Sequence, residues 1–223
     1  MPKTVHLHTP ITEEQIRSLE LDDIVYVSGD AYCMLYADHY TLIMDMLDRG
    51  EEIPMDLKDS VIYNTGVIWR RTPEGGYDMR ALGATTSSKF NAQTPSFIAK
   101  TGIRAIIGKG GMDKACLEAM KEYGCAYLAI CGGCSAVYTP AAKIVDDYWP
   151  ELMPTDASGR CPEPAASDLM PTDNQRLKFE LNEFGPLFVA MDAHGNSLYE
   201  QYASVAQNNV PAIYEKLHIS ASH

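Results

Sequence analysis

A chain of 223 residues is long enough to bury one substantial core, and 46% hydrophobic against 22% charged residues argues against wholesale disorder. With 18 basic and 30 acidic residues the net charge is −12, which disfavours nucleic acid and anionic membrane as partners and makes any anion site a local reversal of sign. No run approaches the roughly 18 apolar residues of a membrane span, and the Met-Pro-Lys-Thr-Val-His-Leu-His start lacks a signal peptide's apolar centre, so a cytosolic protein with six mostly free cysteines is expected.

Ile11 to Leu19 opens with Thr12-Glu-Glu and reads as a short helix or turn. Asp23 to Ser28 alternates as a strand does and ends at Gly29. Leu42, Ile43, Met46 and Leu47 fall at helical spacing, predicting a helix over Ala37 to Arg49 that Gly50 closes. Ser60 to Thr65 and Trp69 to Arg71 read as strands around Gly66, and Gly75-Gly76 marks a turn before a strand over Tyr77 to Ala81. A helix is predicted over Thr94 to Thr101, with Pro95 in its first turn. A strand over Ile103 to Ile107, a helix over Met112 to Tyr123 stopped by Gly124, and an apolar strand over Ala126 to Ile130 follow. Ser135 to Asp147 is read as a helix interrupted near Pro140. Pro150 to Thr172, rich in proline, is read as a long loop or flap. Leu187 to Met191 and Ser197 to Tyr199 are read as strands around the Gly195-Asn196 turn, and Ala203 to His218 as a helical tail broken near Pro211. Irregular alternation of strands and helices gives an α/β or α+β class.

Chemistry concentrates in two segments, Gly83-Ala-Thr-Thr-Ser-Ser-Lys89 and Gly108-Lys-Gly-Gly-Met112. Glycines let a ligand approach the backbone, and the lysines supply the local positive charge that the acidic chain otherwise lacks. The second segment is not a phosphate loop, because it has neither the four-residue spacer nor the terminal Lys-Ser/Thr. Cys131-Gly-Gly-Cys134 could be a redox pair or half of a zinc site, but no second pair exists and close packing of small residues explains it as well. His6 and His8 read as surface residues and His194 as a structural turn residue; His39, on the helix after Gly29, is the best histidine candidate for a site, with a satisfied helix histidine as the alternative.

These stretches, with Ser28-Gly-Asp30, Gly50 through Pro54, Val61-Ile-Tyr-Asn-Thr-Gly66, Glu183-Phe-Gly-Pro-Leu187 and Asp192 through Leu198, resemble the β subunit of class I iron–sulfur hydro-lyases, the family of two-subunit tartrate dehydratases and anaerobic-type fumarases. The resemblance implies an α/β fold of the swivelling three-layer β/β/α type, as one domain over 1–223. It implies hydration or dehydration of a small hydroxy (di)carboxylic acid such as tartrate, malate or fumarate. The matching positions make Thr85 the proton-transfer residue, and Thr86, Lys89, Lys109 and His39 substrate-binding residues. A [4Fe-4S] cluster would be held by a separate α subunit, so this chain would be inactive alone, in a homodimerising or hetero-oligomeric assembly. Two departures stand out. An Arg-Asp pair of the family is missing before His39, where Met34-Leu35-Tyr36-Ala37-Asp38 occurs, and the family's arginine after the threonine pair is Lys89. Leu35 cannot clamp a carboxylate, and lysine lacks arginine's planar fork. An altered substrate follows from this, or a non-catalytic, regulatory subunit that kept the fold. A thiol-redox protein using Cys131 and Cys134 is a further alternative. Arg70, Arg71 and Arg104 are the candidates to compensate for the missing arginine.

Overall fold

The structure, a computed structural model, describes residues 2–147 and 176–218. In chain order the elements are β1 (Thr4–His8), α1 (Glu13–Arg17), β2 (Ile24–Cys33), α2 (Ala37–Asp48), β3 (Val61–Tyr63), β4 (Thr65–Arg71), β5 (Tyr77–Ala84), α3 (Thr94–Thr101), β6 (Ala105–Gly108), α4 (Lys114–Tyr123), β7 (Ala126–Ala129), β8 (Ala142–Asp147), β9 (Leu177–Met191) and α5 (Leu198–Leu217). Short 3-10 helices occupy Ser87–Phe90 and Ser135–Ala141.

The main sheet has the order β1-β2-β3-β6-β7-β9-β8, and β4 and β5 form a separate antiparallel pair. Strands β1, β2, β3, β6 and β7 run parallel, which requires crossover connections, several of them helical. The long β9 returns antiparallel and pairs with β7 and β8 on one side and β2 on the other, so the sheet closes on itself. Side chains alternate between two cores, as a period of two demands. Val61 and Tyr63 of β3, Ala105 and Ile107 of β6, and Ala126 and Leu128 of β7 face inward, onto β9 and the β4–β5 pair. Ile62, Ile106 and Tyr127, one step along the same strands, face Tyr40 and Ile43 of α2, Phe97 and Ile98 of α3, and Cys116, Leu117 and Met120 of α4. The molecule is thus a mixed α/β structure with sheets and flanking helices.

Local chemistry sets the helix boundaries. Thr12 and Gln15 form a reciprocal capping box at α1. Asp113 caps α4, and Gly102 and Gly124 end α3 and α4 in the left-handed conformation that glycine adopts without strain.

Several expectations need correction. Ser135 to Asp147 is not an interrupted helix: the 3-10 segment ends at Ala141, and β8 follows with Ala142 and Ile144 buried and Lys143 and Val145 exposed. Pro140 cannot donate to a helix, and β9 offers a paired edge at once. Ser197 to Tyr199 is not a returning strand. The Asp192 carboxylate accepts the N–H groups of His194 and Asn196 at 2.9 Å each, winding a tight loop. Of the expected hairpin only a bridge between Met191 and Ser197 remains. Ser197 instead caps α5, its Oγ accepting from Glu200 N at 3.4 Å. Helix α5 starts at Leu198 and runs through Pro211 unbroken. Strands β2 and β9 are both longer than expected, because each finds the other as partner. The proline-rich stretch 150–172 lies outside the described residues.

Candidate functional site

The parallel strands β2, β3 and β6 all point their C-terminal ends to one edge, and the two chemistry-bearing segments sit there. Asn64, the residue after β3, joins them. Its backbone N–H donates to Ile107 O at 2.8 Å, and its carbonyl accepts from Thr85 N at 2.8 Å. Its side-chain Nδ2 donates to Met34 O at 3.2 Å and to Tyr40 Oη at 2.6 Å. Its Oδ1 accepts from Ser87 Oγ at 2.8 Å, and Ser87 in turn accepts from Tyr127 Oη at 3.0 Å. All these side chains are buried. Burial pushes the Tyr40 and Tyr127 phenols far up, so both stay protonated and the network keeps fixed donor directions.

Upon this network lie the predicted site residues. Lys109 N donates to Thr85 O at 3.3 Å and Ser87 N to Lys109 O at 3.1 Å, while Thr86 and Lys109 form a parallel bridge. Thr85, Thr86 and Lys109 are therefore brought together and half-buried at one rim. Gly108 has to be glycine, since a Cβ there would stand 2.0 Å from Ser87 Oγ and 2.9 Å from Tyr127 Oη. Gly132, at the end of the neighbouring β7 loop, lies against Lys109, whose Cδ would be 3.1 Å from an added Cβ.

Lys89 follows on the 3-10 helix, exposed, with its N–H donating to Thr86 O at 3.4 Å. Neither Lys89 nor Lys109 has an ion-pair partner among the described residues. The three arginines considered as substitutes are engaged elsewhere. Arg70 pairs with Asp78 at 3.0 Å and Arg71 with Asp147 at 2.5 Å. Arg104 binds Asp59 at 2.7 Å and the carbonyls of Tyr123 and Gly124 at 2.8 and 3.1 Å, at the opposite end of β6 from Lys109.

His39 does not touch this cluster directly. It lies in the first turn of α2, beside Tyr40 and thus one residue from the Asn64 network, with its ring edge-on to Tyr36. Burial, with Arg176 nearby, pushes its pKa down to about 3, so the imidazole is neutral at ordinary pH. Sequence reasoning missed Asn64 and Arg176. For Asn64 the available signal was a polar residue directly after the apolar run Val61-Ile-Tyr63. For Arg176 it was the alternation Arg176-Leu-Lys-Phe-Glu-Leu181, which marks a strand beginning there.

The described cysteines do not fit an iron–sulfur cluster. Cys33, Cys116 and Cys125 are separately buried, with thiols pushed up by burial, to about 12 for Cys125. Cys131 and Cys134 are exposed and free, and no group of three or more metal-ligating side chains converges among the described residues. Cys161 lies outside the described residues. A cleft of about 440 Å³ lined by His8, Ser28, Gly29, Lys143, Glu180 and Asn182, among others, shares no residue with the cluster.

Residues 1–147 match the family described as fumarase C-terminus. The chain is 35% identical over 207 residues to the putative L(+)-tartrate dehydratase subunit beta of Methanocaldococcus jannaschii, covering 93% of each. It is 28% identical over 211 residues to the L(+)-tartrate dehydratase subunit beta of Escherichia coli K12, covering 94% of each. It is 32% identical over 200 residues to the putative fumarate hydratase class I of Geobacillus stearothermophilus, covering 89% of this chain and 34% of that protein.

Proposed function

The chain belongs to the fumarase C-terminus family, and from that premise we propose that it is the β-type subunit of a hydro-lyase that adds water to, or removes it from, a small hydroxy (di)carboxylic acid. The observation that carries this reading is the rim at which Thr85, Thr86 and Lys109 are tied together by backbone hydrogen bonds and left half-buried beside the Asn64 network. An acidic chain that leaves two lysines near a threonine without carboxylate partners among the described residues has reserved positive charge for an anion.

Thr85 is assigned the proton transfer at carbon. A threonine hydroxyl is a very weak acid, so this role needs cations nearby to favour the alkoxide, and Lys109 and Lys89 supply them. Lys109, Lys89 and Thr86 hold one substrate carboxylate, and His39 is assigned to substrate binding as a neutral donor apart from them. The [4Fe-4S] cluster is assigned to a separate α subunit, because the cysteines described here do not fit one; two relatives carry the name subunit beta. The half-buried rim suits a site that a second subunit completes, and the chain alone is then inactive. On the same reading residues 1–223 are one domain of the swivelling three-layer β/β/α type, supported by the two-sided core of the parallel strands, and it works in the cytoplasm as part of a hetero-oligomer.

The test is an anaerobic screen of the chain co-purified with its cluster-bearing partner against fumarate, malate, tartrate, mesaconate and related acids. Hydration or dehydration of one of them is expected. A stable, cluster-loaded complex that turns over none would overturn the reading in favour of a regulatory subunit.

A further inference from the structure

The start of β9 and the start of α2 meet beside the Asn64 network. The antiparallel register pairs Ala31 with Phe179 and Tyr32 with Lys178. Continued two residues further, it sets Arg176 opposite Met34, whose carbonyl Asn64 holds at 3.2 Å. Leu177 faces the inner core, so alternation turns Arg176 to the opposite side, the side that α2 covers. The half-buried guanidinium there lies close enough to Asp38 and His39 to interact with both electrostatically, and its Nε and Nη1 are withdrawn from solvent.

His39 is only 4% exposed, and its Nδ1 is buried without a hydrogen-bond partner among the described residues. A buried polar atom left unpaired is costly and calls for a group to satisfy it. Held neutral, the ring can present Nδ1–H as a donor without adding a second cation beside the guanidinium. Helix α2 also begins without a side-chain cap, although Asp38 in its first turn partly offsets the helix field. A planar fork, a neutral N–H donor and an uncapped helix start share one complement, a carboxylate.

We propose that Arg176 and His39 form a carboxylate subsite, separate from that of Lys109, which anchors the far end of the substrate and selects dicarboxylic over monocarboxylic hydroxy acids. This rests on the hydro-lyase reading for its substrate class, and it makes Arg176 a specificity-determining residue. From Arg176 the path to the proton-transfer residue is short: Met34 lies opposite it, Asn64 binds the Met34 carbonyl, and Thr85 N donates to Asn64 O. Asp38, exposed on the same turn, acts on the guanidinium only weakly through solvent.

The experiment compares substrates in the assembled enzyme. Arg176→Gln is expected to raise KM for the dicarboxylate that is turned over by roughly 10- to 100-fold, the usual weight of a charge-assisted hydrogen bond. The same variant should leave a monocarboxylic hydroxy acid within about twofold. Arg176→Lys should recover part of the loss, and it supplies the comparison should the glutamine variant not fold. Asp38→Asn should change neither KM by more than about twofold, as for other exposed pairs. An unchanged dicarboxylate KM, or equal losses on both acids, would overturn the subsite. Calorimetric titration of tartrate and succinate into the full chain separates this from failure of the hydro-lyase reading. Binding that Arg176→Gln abolishes upholds the subsite even where no acid is turned over, and binding the variant leaves intact rejects it.

Discussion

Strand β6 carries a cation just beyond each end, and the two are opposites. Arg104, before its start, is held by Asp59, by two backbone carbonyls that end α4, and by Glu13 at 3.5 Å, with only 12% of its side chain exposed. Lys109, about 16 Å away at 3.3 Å per residue, is fixed through its backbone and has no carboxylate partner among the described residues. One cation is consumed by the fold and the other is left for something outside it. Counting partners separates them, whereas residue type does not.

The sharpest way to break this contrast is at Thr85, next to the free cation. In the assembled enzyme Thr85→Ala is expected to cut kcat by about 10²–10⁴, the range for a positioned proton-transfer group, with the melting temperature unchanged. Undiminished turnover would remove Thr85 from the chemistry. The two cations come next. Lys109→Met should lower kcat/KM by roughly 10- to 100-fold at constant stability. Arg104→Met should do the reverse, costing about 2 kcal/mol, or roughly 4–8 °C in Tm for a chain of this size, with kcat intact. Matching phenotypes in the two variants would mean that the ends of β6 are not functionally distinct.

How much of this was legible in the sequence differs along the same lines. Helices α2, α3 and α4 announced themselves, because Gly50 after apolar residues at helical spacing, Pro95 in a first turn and Gly124 at a helix end are punctuation, and punctuation of that kind is local. The segments Thr85–Lys89 and Gly108–Met112 were legible as chemistry, since their glycines, hydroxyls and lysines lie together in the chain. What failed depended on a partner outside the segment itself. Ala142–Asp147 became a strand because β9 lies beside it, and Ser197 became a cap because Asp192 wound the loop before it. Asn64 is ordinary in sequence, and its importance comes from bonds to Met34, Tyr40 and Ser87, 23 to 30 residues away. Arg176 reaches His39 only through the β2–β9 register.

His39 sharpens the contrast through pH. Its pKa falls from 6.5 in the open chain to about 3 in the fold, so below 6.5 the unfolded state binds the proton first. Stability from this group is complete above pH 6.5 and is lost as pH falls towards 3, with a slope of up to about 1.4 kcal/mol per pH unit. Denaturant titrations at pH 7, 6, 5 and 4 should show this slope flattened in His39→Gln relative to the parent. Parallel pH profiles would mean that the ring is more accessible than its burial indicates.

The smallest effect is expected at Cys131 and Cys134, where the sequence suggested the loudest alternative. Both thiols are exposed and free, and Cys134 Sγ makes only a 3.6 Å contact to Cys131 O. The position with a structural demand is Gly132 between them, packed against the Lys109 side chain. The double variant Cys131→Ser/Cys134→Ser should therefore stay within about 0.5 kcal/mol of the parent, as surface changes do, and keep its turnover. Gly132→Val should disturb turnover more, because it crowds the lysine that the site needs. Alkylation should find Cys131 and Cys134 reacting as two independent thiols. A linked pair whose removal abolishes activity would shift the function from the lysine rim to the thiols, and Lys109→Met would then lose its predicted effect.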